Sequence, residues 1–172
     1  PAGVQGGEEC GVSPGKLPGG RVLNDKSASE MSALWGGHPI PGWDGLGPGP
    51  MLESAAQGGF DFLYNMGGNL LATVPDRATV RDGLSKVGVR IHQDINLNRS
   101  MLFDPGKLLV LLPAQTRYEQ RGGGTSTSTE RRVRLSPEIP GHPKVGETKP
   151  DYEIPGLIAG RIVPGIQAEL SW

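Results

Sequence analysis

The chain has 172 residues, and its 17 Lys and Arg are balanced by 18 Asp and Glu, for a net charge of −1. This length fits a single domain, and the near-zero charge argues against a nucleic-acid binder, which normally carries a strong basic excess. The 28 Gly and 16 Pro amount to roughly a quarter of the chain, near the range of low-complexity sequences. With apolar clusters also present, we expect a modest core with long ordered loops.

The single cysteine, Cys10, excludes an intrachain disulfide, a CxxC redox centre and a cysteine-ligated iron–sulfur cluster within this stretch. No apolar run approaches the ~18 residues that span a bilayer, and no signal-peptide pattern is present. We therefore expect a cytoplasmic protein with neither membrane nor nucleic-acid partners. Because the chain starts at Pro1 and stops soon after an apolar stretch, we also expect it to be a piece of a longer protein.

Residues 1–50 are rich in turn formers, and the run 39–50 is dominated by Gly and Pro. One short helix is predicted there, over residues 27–34, with Ser27 as N-cap and Glu30 three residues later as in a capping box. The rest of this part is predicted to be a loop-rich connector.

The middle of the chain alternates between strand and helix patterns. Predicted strands are 60–65, 89–95 and 108–112, the last a continuous apolar run of the kind buried on both faces of a sheet. Predicted helices are 51–57, 97–103 and a segment capped by Asp76 that runs to Val87. This βαβαβ order predicts an α/β fold with a Rossmann-like parallel sheet.

After Tyr118 the pattern loosens again. Residues 122–129 form a Gly/Ser/Thr tract, 131–135 are predicted to be a short strand, 137–150 a loop, and 151–163 a helix weakened by Pro155.

Three segments follow the predicted strands, at the ends where parallel α/β sheets bind ligands: 65–69, 93–94 and 113–117. If the strands are parallel neighbours, all three reach one edge. Their convergence is stronger evidence for a binding site than any one of them.

Gly67-Gly68-Asn69 lacks side-chain bulk at a strand tip, so backbone N–H groups there can approach a phosphate, and Asn69 adds an amide for a ribose or phosphate oxygen. The alternative is a tight turn that needs positive φ. The segment is not the GxGxxG fingerprint of dinucleotide folds.

Asp94 ends the second strand of the unit. Its carboxylate can bind a ribose diol, or it can accept hydrogen bonds from the paired N–H donors of a guanine edge. The alternative is an N-cap for a helix that starts near Asn96.

The tract from 122 to 132 ends in Glu130-Arg131-Arg132 and either wraps an anionic ligand or forms a solvated loop. The histidines His38, His92 and His142 show no metal-ligand spacing, and each is expected to be a surface or loop residue. Asn98-Arg99-Ser100 matches a glycosylation acceptor, a weak pattern without a secretory signal. No nucleophile–base pair stands out, so neither catalytic nor metal-ligating residues are predicted.

Five stretches together resemble the molybdopterin oxidoreductase family, most closely proteins similar to the formate dehydrogenase α subunit. They are Leu63–Asn69, His92–Ile95, Leu111–Glu119, Gly122–Arg132 and Ser136–Gly141, with Glu9–Val12 and Lys16–Gly20 upstream.

The resemblance implies a bis(molybdopterin guanine dinucleotide) cofactor, bis-MGD, with molybdenum, in an enzyme several times longer than this chain. By that likeness, Gly67, Gly68 and Asn69 hold the diphosphate and sugar, and Gln93 and Asp94 hold the guanine. The residues expected nearer the pterin are Pro113, Thr116, Arg117, Glu119, Gly124, Thr125 and Arg131. The implied organisation is a connector over 1–50, part of an MGD-binding α/β domain over 51–136, and a loop with a C-terminal helix over 137–172.

The cluster-binding cysteines of the family are absent here, so a 4Fe–4S cluster and the metal's protein ligand are expected elsewhere in a longer polypeptide. We therefore expect the chain alone to be inactive and its main partner to be the rest of its own polypeptide. A small substrate such as formate and an electron-transfer subunit are further candidate partners. The alternatives are a stand-alone Rossmann-type nucleotide-binding module, for instance for NAD, and a non-catalytic scaffold or decayed gene product.

Overall fold

The computed structural model describes residues 4–103, 106–128, 132–141, 143–163 and 165–166. The chain forms two compact units. One comprises Pro1–Met51 and Thr125–Leu135, and the other comprises Leu52–Gly124 and Ser136–Trp172.

The first unit contains more regular structure than its Gly and Pro content predicts. Helix α1 spans Val4–Glu9, strands β1 (Lys16–Leu17) and β2 (Arg21–Val22) form an antiparallel pair, and helix α2 spans Asp25–Leu34. Such short elements escape prediction because a two-residue strand leaves no detectable hydrophobic period.

The predicted start of α2 is wrong: Asn24, not Ser27, is the N-cap. The Asn24 side chain accepts a hydrogen bond from the Ser27 amide at 3.0 Å, and the Ser27 hydroxyl accepts one from the Asn24 amide at 3.0 Å. Ser27 therefore fills the third helical position of a capping box, the place usually taken by Glu or Gln. Glu30, assigned to that role from the sequence, instead pairs with Arg21.

The second unit is built on a parallel sheet of three strands, β3 (Phe62–Met66), β4 (Val89–Asp94) and β5 (Leu108–Pro113), in that order. Both neighbouring pairs are parallel. The α/β class and the parallel sheet are thus confirmed, and the strand bounds differ from the predicted ones by one or two residues.

Strand β5 is not buried on both faces, which corrects the prediction from its apolar run. Leu108 is 50% exposed and Leu111 is 42% exposed. Within the sheet described here β5 is an edge strand paired only with β4, so fewer neighbours cover it than a central strand would have.

Helices α3 (Pro48–Ala56), α4 (Leu70–Thr73) and α5 (Arg77–Lys86) supply much of the core. Its fully buried apolar side chains are Leu52, Val80, Leu84 and Val87. Gly83 lets α5 lie against α3, since a Cβ there would come within 2.7 Å of the Leu52 carbonyl oxygen. The predicted helix that ends before Gly88 is confirmed.

Asp76 caps α5, as predicted. Its carboxylate accepts hydrogen bonds from the Thr79 hydroxyl at 2.6 Å and from the amides of Ala78 and Thr79 at 3.1 and 3.4 Å. These bonds, the Thr79 hydroxyl first, lower the pKa of Asp76 because they favour its charged form.

The remaining elements are a 3₁₀ helix over Arg99–Met101, strands β6 (Gly124–Thr127) and β7 (Val133–Ser136), which pair with each other, and helix α6 (Glu153–Ile162). The Gly/Ser/Thr tract is therefore partly a strand and not only a loop. Pro155 is tolerated because it falls in the first turn of α6, where backbone N–H groups have no partners within the helix. Among the residues whose structure is given, no helix is long and apolar enough to cross a membrane.

Candidate functional site at the ends of the parallel strands

The register of the sheet brings the three predicted segments to one edge. Met66 of β3 lies beside Gln93 of β4, which lies beside Leu112 of β5, and Asp94 lies beside Pro113. The loops that follow all leave from this edge, as a parallel sheet requires.

The glycine loop is a tight turn that is also open to a ligand. Gly67 and Gly68 have φ of 70° and 83°, and a Cβ built on either would meet nothing within 4 Å. The Gly67 amide donates to the Gln93 carbonyl at 2.7 Å, which ties the turn to β4. The amides of Gly68 and Asn69 donate to no group in the described part of the chain, so they are available to an oxyanion.

The Asp94 carboxylate is held in place by the loop that follows it. One oxygen accepts from the Ile95 amide at 2.7 Å, and the other accepts from the Asn98 side-chain amide at 3.1 Å. Asp94 is not the helix cap considered from the sequence, because Asn98 caps the 3₁₀ helix through the Ser100 amide at 3.0 Å. The oxygen that accepts from Ile95 also accepts from the Asn96 amide at 3.5 Å, and the oxygen that accepts from Asn98 keeps a second lone pair for a ligand.

Asn98 joins the glycine loop to the carboxylate, and sequence reasoning missed it. Its Nδ2 lies 3.4 Å from the Gly68 carbonyl oxygen and 3.1 Å from the Asp94 carboxylate. Its sequence signal, the Asn of Asn98-Arg99-Ser100, was assigned to a glycosylation acceptor, although Asn is also a favoured helix-capping residue.

The buried Ser100 fastens Asn69 to the same loop. Its hydroxyl donates to the Asn69 side-chain oxygen at 2.8 Å and accepts from the Leu71 amide at 3.1 Å. The Asn69 side chain is therefore oriented before any ligand arrives, with its amide nitrogen left over as a donor.

Gln93 is buried, and both polar atoms of its side chain form a hydrogen bond inside the protein. Its Oε1 accepts from the Tyr64 hydroxyl at 2.5 Å, and its Nε2 donates to the Asp151 carbonyl at 2.8 Å. Burial raises the pKa of Tyr64, which keeps this phenol a donor. The side chain of Gln93 thus links β3 to the segment before α6, and its direct contact with a nucleotide stays a prediction.

Beside Asp94 opens a cleft of about 420 Å³. Its walls are mostly apolar, with the Asp94 carboxylate as their one acidic group, a combination typical of small-molecule sites. The lining residues are His92, Asp94, Ile95, Asn96, Leu97, Met101, Leu111, Leu112 and Pro113.

His92 lines this cleft from β4 and is only 1% exposed. The Asn65 side-chain amide lies 3.4 Å from its Nδ1, and because that amide nitrogen can only donate, Nδ1 is the acceptor. Burial lowers the pKa of His92, the positive charge of Arg90 lowers it further, and Asp94 opposes them in part. The ring is therefore neutral at pH 7, with the proton on Nε2.

We expect the chain to lose stability as the pH falls below about 6.5, and His92→Gln to lessen that loss. The folded state holds His92 neutral while the unfolded chain takes up a proton near its ordinary pKa of about 6.5. The unfolded state then binds more protons, so acid favours unfolding. Urea unfolding of both proteins at pH 7.5 and 5.5 measures this, and an equal acid loss in the variant would assign it to other groups.

The remaining predicted residues occupy three different places. The Glu119 carboxylate accepts from the Thr116 amide and hydroxyl at 2.8 and 2.7 Å, which closes the loop after β5. Gly124 lies against the exposed Arg117, where a Cβ would come within 2.8 Å of the Arg117 Cβ. Thr125 belongs to β6 in the other unit, and Arg131 lies outside the described residues.

Within residues 4–103, 106–128, 132–141, 143–163 and 165–166, no group of three or more His, Cys, Asp or Glu side chains is arranged to hold a metal ion. Cys10 is exposed and carries a free thiol.

The fold and the strand-end site define an α/β protein with a parallel sheet. No protein-family model matches the chain. It is 33% identical over 161 residues to the formate dehydrogenase homologue YrhE of Bacillus subtilis and 32% identical over 166 residues to the nitrate reductase of a Synechocystis species, each match covering 92% of the chain. It is also 34% identical over 135 residues, 78% of the chain, to a component of the NADH-quinone oxidoreductase of Streptomyces coelicolor.

These relatives confirm the resemblance to the molybdopterin oxidoreductase family that was stated from the chain's residues. The chain spans between 15% and 22% of the length of these three relatives. It therefore corresponds to a segment of larger oxidoreductases.

Proposed function

We propose that the chain binds the guanine dinucleotide end of a bis-MGD cofactor within a formate dehydrogenase-like oxidoreductase. The observation that carries the proposal is the Asn98 bridge, which holds the Gly68 turn and the Asp94 carboxylate together at one edge of the sheet. A dinucleotide needs both an oxyanion site and a base site within one molecule's reach. This edge offers both.

The glycine loop suits a diphosphate. Two backbone amides, those of Gly68 and Asn69, have no partner among the described residues, and no side chain stands over the turn. Backbone N–H groups presented by consecutive residues in such turns form concave sites for anions. The Asn69 side-chain nitrogen adds a donor for a sugar hydroxyl.

The cleft beside Asp94 suits a guanine. Apolar walls from Leu97, Met101 and Leu111 can cover the faces of a planar base. The Asp94 carboxylate, already fixed by Ile95 and Asn98, retains acceptor capacity for the adjacent N1–H and N2–H₂ donors of guanine. Adenine presents an acceptor, N1, at the corresponding place and would be repelled.

The remaining parts of the site follow from family likeness. We propose that the loop from Pro113 to Glu119 and the tract from Gly122 to Arg132 line the cofactor nearer its pterin. When bound, the molybdenum centre supplies two-electron chemistry on a small substrate, with formate as the natural candidate. The metal's protein ligand, a 4Fe–4S cluster and most of the substrate site then belong to other segments of the longer protein, which is the chain's first partner. By this proposal the chain alone is inactive.

Asp94→Asn is expected to weaken GDP binding to the chain about tenfold or more while leaving ADP binding unchanged. GDP carries the guanine and diphosphate of the cofactor's tail. A hydrogen bond to a charged group contributes about 1.5–3 kcal/mol, and about 1.4 kcal/mol is a factor of ten in affinity. Titration calorimetry with GDP and ADP measures both affinities.

The matched control is Asp82→Asn, which removes an exposed carboxylate on α5 that pairs with Lys86 at 3.5 Å. It should bind GDP as the parent chain does. Equal affinity of the parent chain for GDP and ADP would refute the guanine site. Tight binding of NAD in place of GDP would favour the alternative of a Rossmann-type nucleotide module.

A further inference from the structure

A second cleft, of about 650 Å³, opens in the same unit beyond the end of β5, and it shares no lining residue with the cleft beside Asp94. It lies between the loop after β5, the segment before α6 and the first turns of α6. Its walls include Gln115, Arg121, Lys144, Thr148, Lys149 and Glu153.

The cleft has an excess of positive charge. Three cations line it, Arg121, Lys144 and Lys149, against the one carboxylate of Glu153. Glu153 lies 3.7 Å from the Lys149 ammonium and compensates that charge. Arg121 and Lys144 are exposed and form no ion pair within the described part of the chain, so their charges are available to a ligand, which identifies an anion as the preferred occupant.

Two residues that line this cleft each hold a buried polar atom with no hydrogen-bond partner among the residues described. These atoms are the Gln115 side-chain oxygen and the Thr148 hydroxyl oxygen. Gln115 is only 4% exposed, and its orientation is fixed from both ends: its amide donates to the Lys149 carbonyl and its Nε2 donates to the Thr148 carbonyl, each at 2.8 Å. Its Oε1 is thereby left as an acceptor without a donor.

An unsatisfied buried acceptor destabilises the folded state, so a native protein normally supplies a donor for it. The exposed cations favour a negatively charged ligand, and the Gln115 side-chain oxygen can accept a hydrogen bond from an O–H or N–H donor. Among simple oxyanions, a phosphate that retains a proton meets both demands, whereas sulfate carries similar charge and size but has no proton to donate at neutral pH.

We infer that this cleft binds a protonated phosphate group, either inorganic hydrogen phosphate or a phosphate monoester. The Arg121 and Lys144 side chains attract the oxyanion, and the phosphate O–H donates to Gln115 Oε1. The site stands on its own residues and does not depend on the nucleotide site proposed above.

Calorimetric titration of the chain at pH 6 with inorganic phosphate, glycerol 3-phosphate and sulfate tests the inference. Phosphate monoesters are about half protonated at that pH. We expect phosphate to bind at least tenfold more tightly than sulfate. If glycerol 3-phosphate binds more tightly than inorganic phosphate, the ligand is a phosphate monoester. If inorganic phosphate binds more tightly, the ligand is the free ion.

Four variants assign the roles. Arg121→Gln and Lys144→Gln should weaken the binding of phosphate and of sulfate to the same extent. Gln115→Met should instead remove the preference for phosphate over sulfate. Lys107→Gln, an exposed cation just before the opposite end of β5, should change neither. If Gln115→Met lowers the melting temperature, Thr148→Val gives a second test of the buried polar atoms. This variant should weaken the binding of phosphate more than the binding of sulfate.

Equal binding of phosphate and sulfate by the parent chain would overturn the inference, as would a preference for phosphate that survives Gln115→Met in a folded protein. Absence of binding by all three anions would also overturn it and would leave the two orphaned atoms to water. The GDP titration is a separate measurement, so failure at either site leaves the other result standing.

Discussion

Gly68→Val is expected to abolish measurable GDP binding to the chain and to lower its free energy of unfolding by about 1–2 kcal/mol. Gly68 has a φ of 83°, in the left-handed region, where an L-residue costs roughly 1–2 kcal/mol and a β-branched one is a marked outlier. The valine side chain would also fill the open space above the turn, from which a phosphate reaches the backbone amides. Titration calorimetry and urea unfolding measure the two effects.

Gly58→Val separates the two effects. Gly58 follows α3 with a φ of 81°, and a Cβ there would also meet nothing within 4 Å. The control thus carries the same backbone strain at a place unconnected with the strand ends. It should lose as much stability as Gly68→Val and keep the GDP affinity of the parent chain. If Gly68→Val bound GDP as tightly as Gly58→Val and the parent chain do, the glycine loop would not contact the diphosphate.

The sheet and its binding edge were predictable because they rest on local patterns. The run at 108–112, the stripe through Val80, Leu84 and Val87, and the cap at Asp76 each depend on neighbours within a few residues. Once strands and helices alternate, parallel pairing and the position of the loops follow from general chain topology. That is why Gly68 and Asp94 could be assigned to one edge from the order of the segments alone.

The hydrogen bonds between side chains at this edge of the sheet were not predictable, because the bonded residues are far apart along the chain. Gln93 bonds to Asp151, and Ser100 bonds to Asn69, and nothing local indicates either pair. A Gln next to the candidate Asp94 is equally suited to a ligand or to the interior, and only the position of the segment before α6 decides between them.

Burial was the other property that local patterns could not give. The all-apolar run of β5 predicted a strand buried on both faces, yet half of Leu108 is exposed because β5 has one neighbour in the sheet described here. Conversely, His92 reads as a surface residue in the sequence but is nearly inaccessible on β4, the strand with a neighbour on each side. The strand order, which no single segment encodes, sets both outcomes.

Leu84→Ala is expected to cost about 2–5 kcal/mol of unfolding free energy while leaving GDP affinity unchanged. Leu84 lies on α5 with no exposed surface, so truncation leaves a cavity that the close packing against α3 cannot readily fill. The site residues lie at the strand ends and are positioned by the hydrogen bonds of Asn98 and Ser100. Leu102→Ala is the matched control: that leucine is 76% exposed, and its loss should change stability by less than about 0.5 kcal/mol. Urea unfolding of the three proteins, with GDP titration of each, measures both quantities. A fall in GDP affinity for folded Leu84→Ala would show that the edge is held by the core under α5 and not by its own hydrogen bonds.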